Sequence, residues 1–125
     1  MNAIYLRSSV RQYTDEPVDI RDIEKLMRAA MAAPSAVNQQ PWEFYIARDE
    51  TTRLALAASS PYGTPAKLAP CVIVACQRTE GLRAPQDASY DMSASVENIL
   101  IEAANLGLGA VWLGMAPEKD RMAAV

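Results

Sequence analysis

Residues 91–114 read DMSASVENILIEAANLGLGAVWLG, and their hydrophobic spacing decides the architecture. Val96, Ile99, Leu100, Ala103 and Ala104 recur at helical intervals, the stripe of a long helix from Tyr90 to Leu106. Gly107 follows as its left-handed C-terminal stop, where a residue without a Cβ is favoured. Ala110–Met115 then reads as a strand, and Pro117 opens a further helix from its N1 position, with Glu118 and Asp120 in the first turn.

The chain upstream supplies what this helix packs against. From Asp19 to Ala33, Ile20, Ile23, Leu26/Met27 and Ala30/Met31 recur at helical spacing, with Asp19 as N-cap and Pro34 as stop. Trp42, Phe44 and Ile46 alternate with Glu43 and Tyr45, as in a half-buried strand. Thr51–Ala58 reads as a short helix, and SSPYGTPAKLAP (59–70), with three prolines and a glycine, as a loop. Cys71–Gln77 is an apolar strand suited to a sheet interior, and a polar connection, RTEGLRAPQDAS (78–89), leads to the long helix. There is no repeat and no interdomain linker. These elements predict an α+β domain spanning 1–125, with two long helices on a small sheet.

Composition narrows the chemistry. The 125 residues contain no histidine, which excludes a Ser-His-Asp triad, a Cys-His pair and a His-ligated zinc. Two cysteines are too few for an all-cysteine zinc or iron–sulfur site within the chain. Cys71 and Cys76 lie five apart on a strand, hence on opposite faces, and two buried, unpaired thiols suit a reducing cytoplasm. A net charge of −3 with scattered basic residues predicts no nucleic-acid partner. The N-terminus has no apolar signal segment and no stretch is long enough for a membrane span, so a soluble cytoplasmic protein is expected. Twenty-two alanines favour closely packed helices.

Three segments could carry function. Arg7-Ser8-Ser9-Val10-Arg11, if extended, turns Arg7, Ser9 and Arg11 to one side, as a receptor for a phosphate or as a solvated cluster. Ala33–Trp42, APSAVNQQPW, sets hydroxyl and amide groups between two prolines, suited to a planar heterocycle or to ordinary turn chemistry. Gly107, Gly109 and Gly114 match neither a Rossmann fingerprint nor a P-loop. Gly107 is a helix stop, whereas Gly114 at a strand end could admit a ligand close to the backbone. Trp42 and Trp112 read as packing residues, and Asp91, Glu97 and Glu102 as solvated helix positions rather than an acid/base pair.

RSSVRQY (7–13), APSAVNQQPWEF (33–44) and DMSASVENILIEAANLGLGAVWLG (91–114), in this order, resemble the FMN-dependent nitroreductase family. The resemblance implies a nitroreductase-like three-layer α/β/α sandwich with a central mixed or antiparallel sheet. It also accounts for the missing imidazole, since a flavin brings its own redox chemistry. By position it implies that Arg7, Ser8, Ser9 and Arg11 hold FMN, Arg7 at the phosphate and Arg11 at the N1/O2 edge. Ser8 stands where the family often has a second basic residue. Pro34, Ser35, Ala36 and Asn38 would contact the flavin of a partner subunit, with Gln40 near the site, and the backbone of Leu113 and Gly114 would face N5 and O4.

The implied activity is hydride transfer from NAD(P)H through FMN to nitroaromatics, quinones or other small electrophiles, in a homodimer with flavin at the subunit interface. No metal and no catalytic side chain is expected. Family members continue past the Pro117 helix with another strand and an arm, so the domain is expected to be C-terminally incomplete. That expectation motivates an alternative, a flavin-binding or interaction module without turnover. A third reading keeps the fold and changes the chemistry to reductive dehalogenation or flavin breakdown.

Overall fold

In the computed structural model, which describes residues 2–125, two long helices pack together beside a two-stranded sheet. A short helix, Ala3–Leu6 (α1), precedes the first long one, Ile20–Met31 (α2). α1 is too short to leave a periodic signal; the Asn2 side chain caps it by accepting the Ile4 N–H at 3.0 Å. Asp19 caps α2 as expected, accepting the Arg21 N–H at 2.8 Å. The Arg21 side chain, then its backbone N–H, hold the Asp19 carboxyl down to about 2.

α2 buries Ile23, Leu26 and Ala30, one turn apart along one face. The second long helix, Ala88–Asn105 (α5), buries Ile99, Leu100 and Ala103 from its expected stripe, together with Ser95 and Asp91. Leu26, Ala30, Ile99 and Ala103 form the core, with Phe44 and Ile73 packed on it from the sheet. The sheet pairs Trp42–Ala47 (β1) antiparallel with Val72–Gln77 (β2), Trp42 opposite Gln77 and Ala47 opposite Val72. Between the strands lie Glu50–Ala57 (α3), capped by Asp49, and Thr64–Leu68 (α4). Gly107, at φ 75°, ends α5 in a Schellman motif: Leu108 N–H donates to Ala103 O at 2.8 Å and Gly107 N–H to Ala104 O at 3.1 Å.

Several expectations need correction. The 59–70 segment is not all loop, because Pro65 sits in the first turn of α4, where its missing N–H costs nothing. Ala110–Met115 forms no strand; among the described residues it has a single parallel bridge, Ser9 to Ala110, and no ladder beyond it. The last helix is Lys119–Ala124 (α6), and Pro117 is not its N1 residue. A turn closed by Glu118 N–H on Met115 O leaves Glu118 extended, at the N-cap position. The β1 alternation fails at Ile46, which is 41% exposed. Cys71 and Cys76 are free but only half-buried, and burial pushes both thiols up.

The most tightly shielded part of the α2–α5 contact is made by small residues, with Ala30 and Ser95 both at 0% exposure. Ala30→Leu should therefore lower stability by about 1–3 kcal/mol through overpacking, whereas Met31→Ala, at an exposed position, should stay within about 0.5 kcal/mol. Urea unfolding midpoints of the two variants test this.

Candidate functional site

The Arg7–Arg11 segment leaves α1 through Arg7, whose N–H donates to Ala3 O at 2.9 Å. It then runs beside the chain that follows α5. Ser9 bridges Ala110 in parallel, and Val10 N–H donates to Ala110 O at 2.9 Å. Tyr13 closes the segment from the other end, its hydroxyl donating to Val10 O at 2.5 Å. Gly109 makes the approach possible: a Cβ there would lie 2.7 Å from Val10 Cγ1 and 3.0 Å from Val10 Cβ. Arg7 Nε pairs with Glu97 Oε1 at 3.4 Å, so Glu97 anchors a cation instead of merely facing water. Ser8, Ser9 and Arg11 are exposed. Leu6, Ser8 and Val10 face Leu100, Leu108 and Ala110 across an open cleft of about 420 Å³.

The Pro34–Asn38 segment is a strained loop with a polar anchor. Val37, Asn38 and Gln40 have φ of 48°, 52° and 48°, a region that a β-branched valine rarely enters. Asp91, on α5, is 6% exposed and accepts Ala36 N–H at 2.9 Å on Oδ1 and Gln39 Nε2 at 2.7 Å on Oδ2. The Gln39 amide also donates to Ala84 O at 2.9 Å and accepts Ala84 N–H at 3.0 Å. Ser35 Oγ accepts Gln40 N–H at 3.0 Å, and Arg78 Nη2 donates to Gln39 O at 2.9 Å. Ser35 and Ala36 are half-buried, while Pro34, Val37 and Asn38 are exposed.

Leu113 is half-buried, and Gly114 is exposed, with no atom beyond its chain neighbours within 4 Å of where a Cβ would stand. Arg121 reaches back from α6, its Nη1 donating to Gly114 O at 3.2 Å and its guanidinium lying 5.3 Å from the Tyr62 ring centre. Trp42 is half-buried, as a packing residue should be, but Trp112 is 46% exposed. It lies on a segment that no strand covers among the described residues.

The Ser9–Ala110 junction thus brings the Arg7–Arg11 segment alongside the chain that leads to Leu113 and Gly114. Pro34–Asn38 is held elsewhere on α5, by Asp91, six residues from the Glu97 that pairs with Arg7. That spacing is roughly 9 Å along the helix axis. No hydrogen bond joins the two groups among the described residues.

The family model for the nitroreductase family matches residues 4–67. The chain belongs to the nitroreductase family. An Archaeoglobus fulgidus relative that carries the name NADH dehydrogenase/NAD(P)H nitroreductase is 40% identical over all of this chain and 72% of its own length. Among solved structures, a Clostridium acetobutylicum protein named as an NADH oxidase superposes with a TM-score of 0.93 at 46% identity, covering 95% of this chain and 72% of that one. A Desulfovibrio desulfuricans nitroreductase solved in complex with FMN gives 0.85 at 36% identity, covering 90% and 66%. The chain therefore spans about two thirds to three quarters of the length of these relatives. The expected α+β, nitroreductase-like fold is borne out.

Three features of this nitroreductase-family chain escaped the sequence reading: the burial of Asp91, the Gln39 amide and the role of Gly109. Asp91 carried a usable signal, since it precedes Ser95 and Ile99 by four and eight residues and so shares their buried face. Among the described residues, no group of three or more acidic or cysteine side chains could hold a metal, and no helix is long and apolar enough to cross a membrane. Gly109→Ala should loosen the N-terminal segment, lowering stability by about 1–3 kcal/mol and speeding proteolysis before Tyr13. Thermal melts and limited proteolysis with mass readout check it; an unchanged cleavage pattern would contradict the close approach.

Proposed function

We propose that this chain is one flavin-binding domain of an FMN-dependent oxidoreductase. It would pass electrons from NAD(P)H to small electrophiles such as nitroaromatics or quinones, as a cytoplasmic homodimer with FMN at the subunit interface. The observation that carries this reading is the junction of Val10 with Ala110. It sets two arginines and two exposed hydroxyls alongside the chain that leads on to Gly114, in a family whose Desulfovibrio desulfuricans member was solved with FMN.

The residues present fit such a ligand. Arg7 and Arg11 supply forked cationic donors for a phosphate and for the negative charge that a reduced flavin carries at N1. Glu97 pairs with Arg7 Nε while leaving the Arg7 side chain one-third exposed to meet an anion. Ser8 and Ser9 offer hydroxyls from the same segment, and the open space on the Cβ side of Gly114 lets a planar ring approach the backbone of Leu113 and Gly114. Pro34, Ser35, Ala36 and Asn38 would reach the flavin bound to the neighbouring copy. The chemistry that bound FMN supplies is acceptance of hydride from NAD(P)H at N5, followed by delivery of two electrons to the acceptor. This chain's part is to hold the ring and favour its reduced charge, without an obligatory side-chain acid.

FMN titration and NAD(P)H oxidation with a nitro or quinone acceptor test the reading. Arg7→Ala should weaken FMN about 10- to 100-fold and leave riboflavin, which lacks the phosphate, nearly unchanged. Arg11→Ala should weaken both ligands and lower the flavin midpoint potential. An unchanged potential would remove the N1 assignment, and a colourless protein that gains no FMN would overturn the whole reading. FMN binding without turnover would leave a flavin-binding module only.

A further inference from the structure

We infer that Asp91 and Gln39 are positioning residues that lock the Ser35–Asn38 loop into its flavin-contacting shape before any ligand arrives, an inference that rests on the flavin reading above. Neither residue is expected to touch the flavin. Their role is to make a costly backbone conformation the resting state of the loop.

The geometry is specific to a carboxylate. Both partners of Asp91 are donors, the Ala36 N–H at 2.9 Å and the Gln39 amide nitrogen at 2.7 Å, and each uses a different carboxylate oxygen. An asparagine of the same size presents one acceptor and one donor, so it satisfies one partner and opposes the other. At 6% exposure the carboxylate has little water to fall back on, and none of the ion pairs among the described residues involves it. A buried charge held by hydrogen bonds alone is a demanding arrangement, and here every bond it makes goes to the loop. Gln39 extends the hold, since its single amide grips both the N–H and the carbonyl of Ala84 as well as Asp91.

What this hold maintains faces outward. Val37 is 53% exposed and Asn38 is exposed, both with positive φ. A turn needed only to join α2 to β1 could use glycine at these positions and bury nothing less. Fixing an exposed valine and an exposed asparagine in a strained shape is useful when those residues must meet something outside the chain. Preorganisation then acts on affinity through population: apparent Kd rises as the fraction of loops in the competent shape falls.

Asp91→Asn and Gln39→Ala test this, studied well below their melting midpoints, with circular dichroism confirming the fold. FMN affinity is read from flavin fluorescence quenching, and hydrogen exchange is read separately on flavin-free protein. Both variants should bind FMN about tenfold more weakly and exchange the amides of residues 36–40 faster, with α2 and α5 protected as in the parent. Unchanged FMN affinity in the variants while the parent binds FMN overturns the inference, and so does faster exchange spread equally over α2 and α5. A parent protein that binds no FMN overturns the flavin reading itself, and the exchange data then report on the clamp alone. If Asp91→Asn fails to fold, Gln39→Ala, at a half-buried position, decides the outcome.

Discussion

Helices α2 and α5 meet through Leu26 and Ile99 together with residues that have almost no side chain, Ala30 and Ser95 being wholly shielded and Ala103 nearly so. Small residues let the two backbones come close, and that closeness makes polar contacts between them possible. Ser95 Oγ donates to Ala30 O at 2.9 Å, and Asn98 Nδ2 donates to Ala29 O at 3.0 Å. Both acceptors lie in the last turn of α2, where each carbonyl has, within its own segment, only a longer bond from the residue three positions on, Ala32 N–H at 3.2 Å and Ala33 N–H at 3.3 Å. The end of α2 is thereby pinned sideways onto α5. This pinning fixes where residues 33–41 start, and thus where the loop can reach.

From that anchor α5 acts as a ruler. Its first turns hold the loop through Asp91, its middle holds Arg7 through Glu97, and its last turns supply Leu100 and Ala104 to the cleft beside Val10. The Gly107 stop then turns the chain back so that Ala110 meets Ser9 and Val10. The sheet contributes through the same loop, because Arg78, just past β2, donates its N–H to Pro41 O at 2.7 Å and its side chain to Gln39 O. Two segments far apart in sequence are thus placed by one rigid helix, which positions groups better than loops held only by each other.

The long elements were legible because burial repeats along them. The Asp19 cap, the Gly107 stop and the middle of the α2 and α5 stripes are where the spacing puts them. Ile20 and Met31, at the two ends of the expected α2 stripe, are instead exposed, because nothing among the described residues packs over the helix ends there. What was not legible depends on distant partners. A strand is defined by its neighbour, so Ala110–Met115 read as a strand on apolar content alone, yet among the described residues only Ala110 is bridged. Asp91 looked like a solvated charge because its partners, Ala36 and Gln39, lie more than fifty residues away. Gly109 was silent because its reason is the side chain of Val10, some hundred residues earlier. Of the candidate site, the segments were readable and the supports were not.

The supports are also what make the loop energetically possible. Left-handed backbone at Val37, Asn38 and Gln40 costs about 1–3 kcal/mol per residue, least for asparagine. Against this stand two charge-assisted bonds to Asp91, about 1.5–3 kcal/mol each, and two neutral Gln39–Ala84 bonds of about 0.5–1.5 kcal/mol each. The two sides are of the same order, and the Ser35–Gln40 and Arg78–Gln39 bonds add to the hold. A segment in that condition keeps its shape only while its anchor stays in place, and the anchor is a side chain on a helix located by Ala30 and Ser95. Close helix packing and the presentation of Ser35–Asn38 are therefore one constraint: whatever widens the α2–α5 contact also moves the carboxylate on which the loop depends.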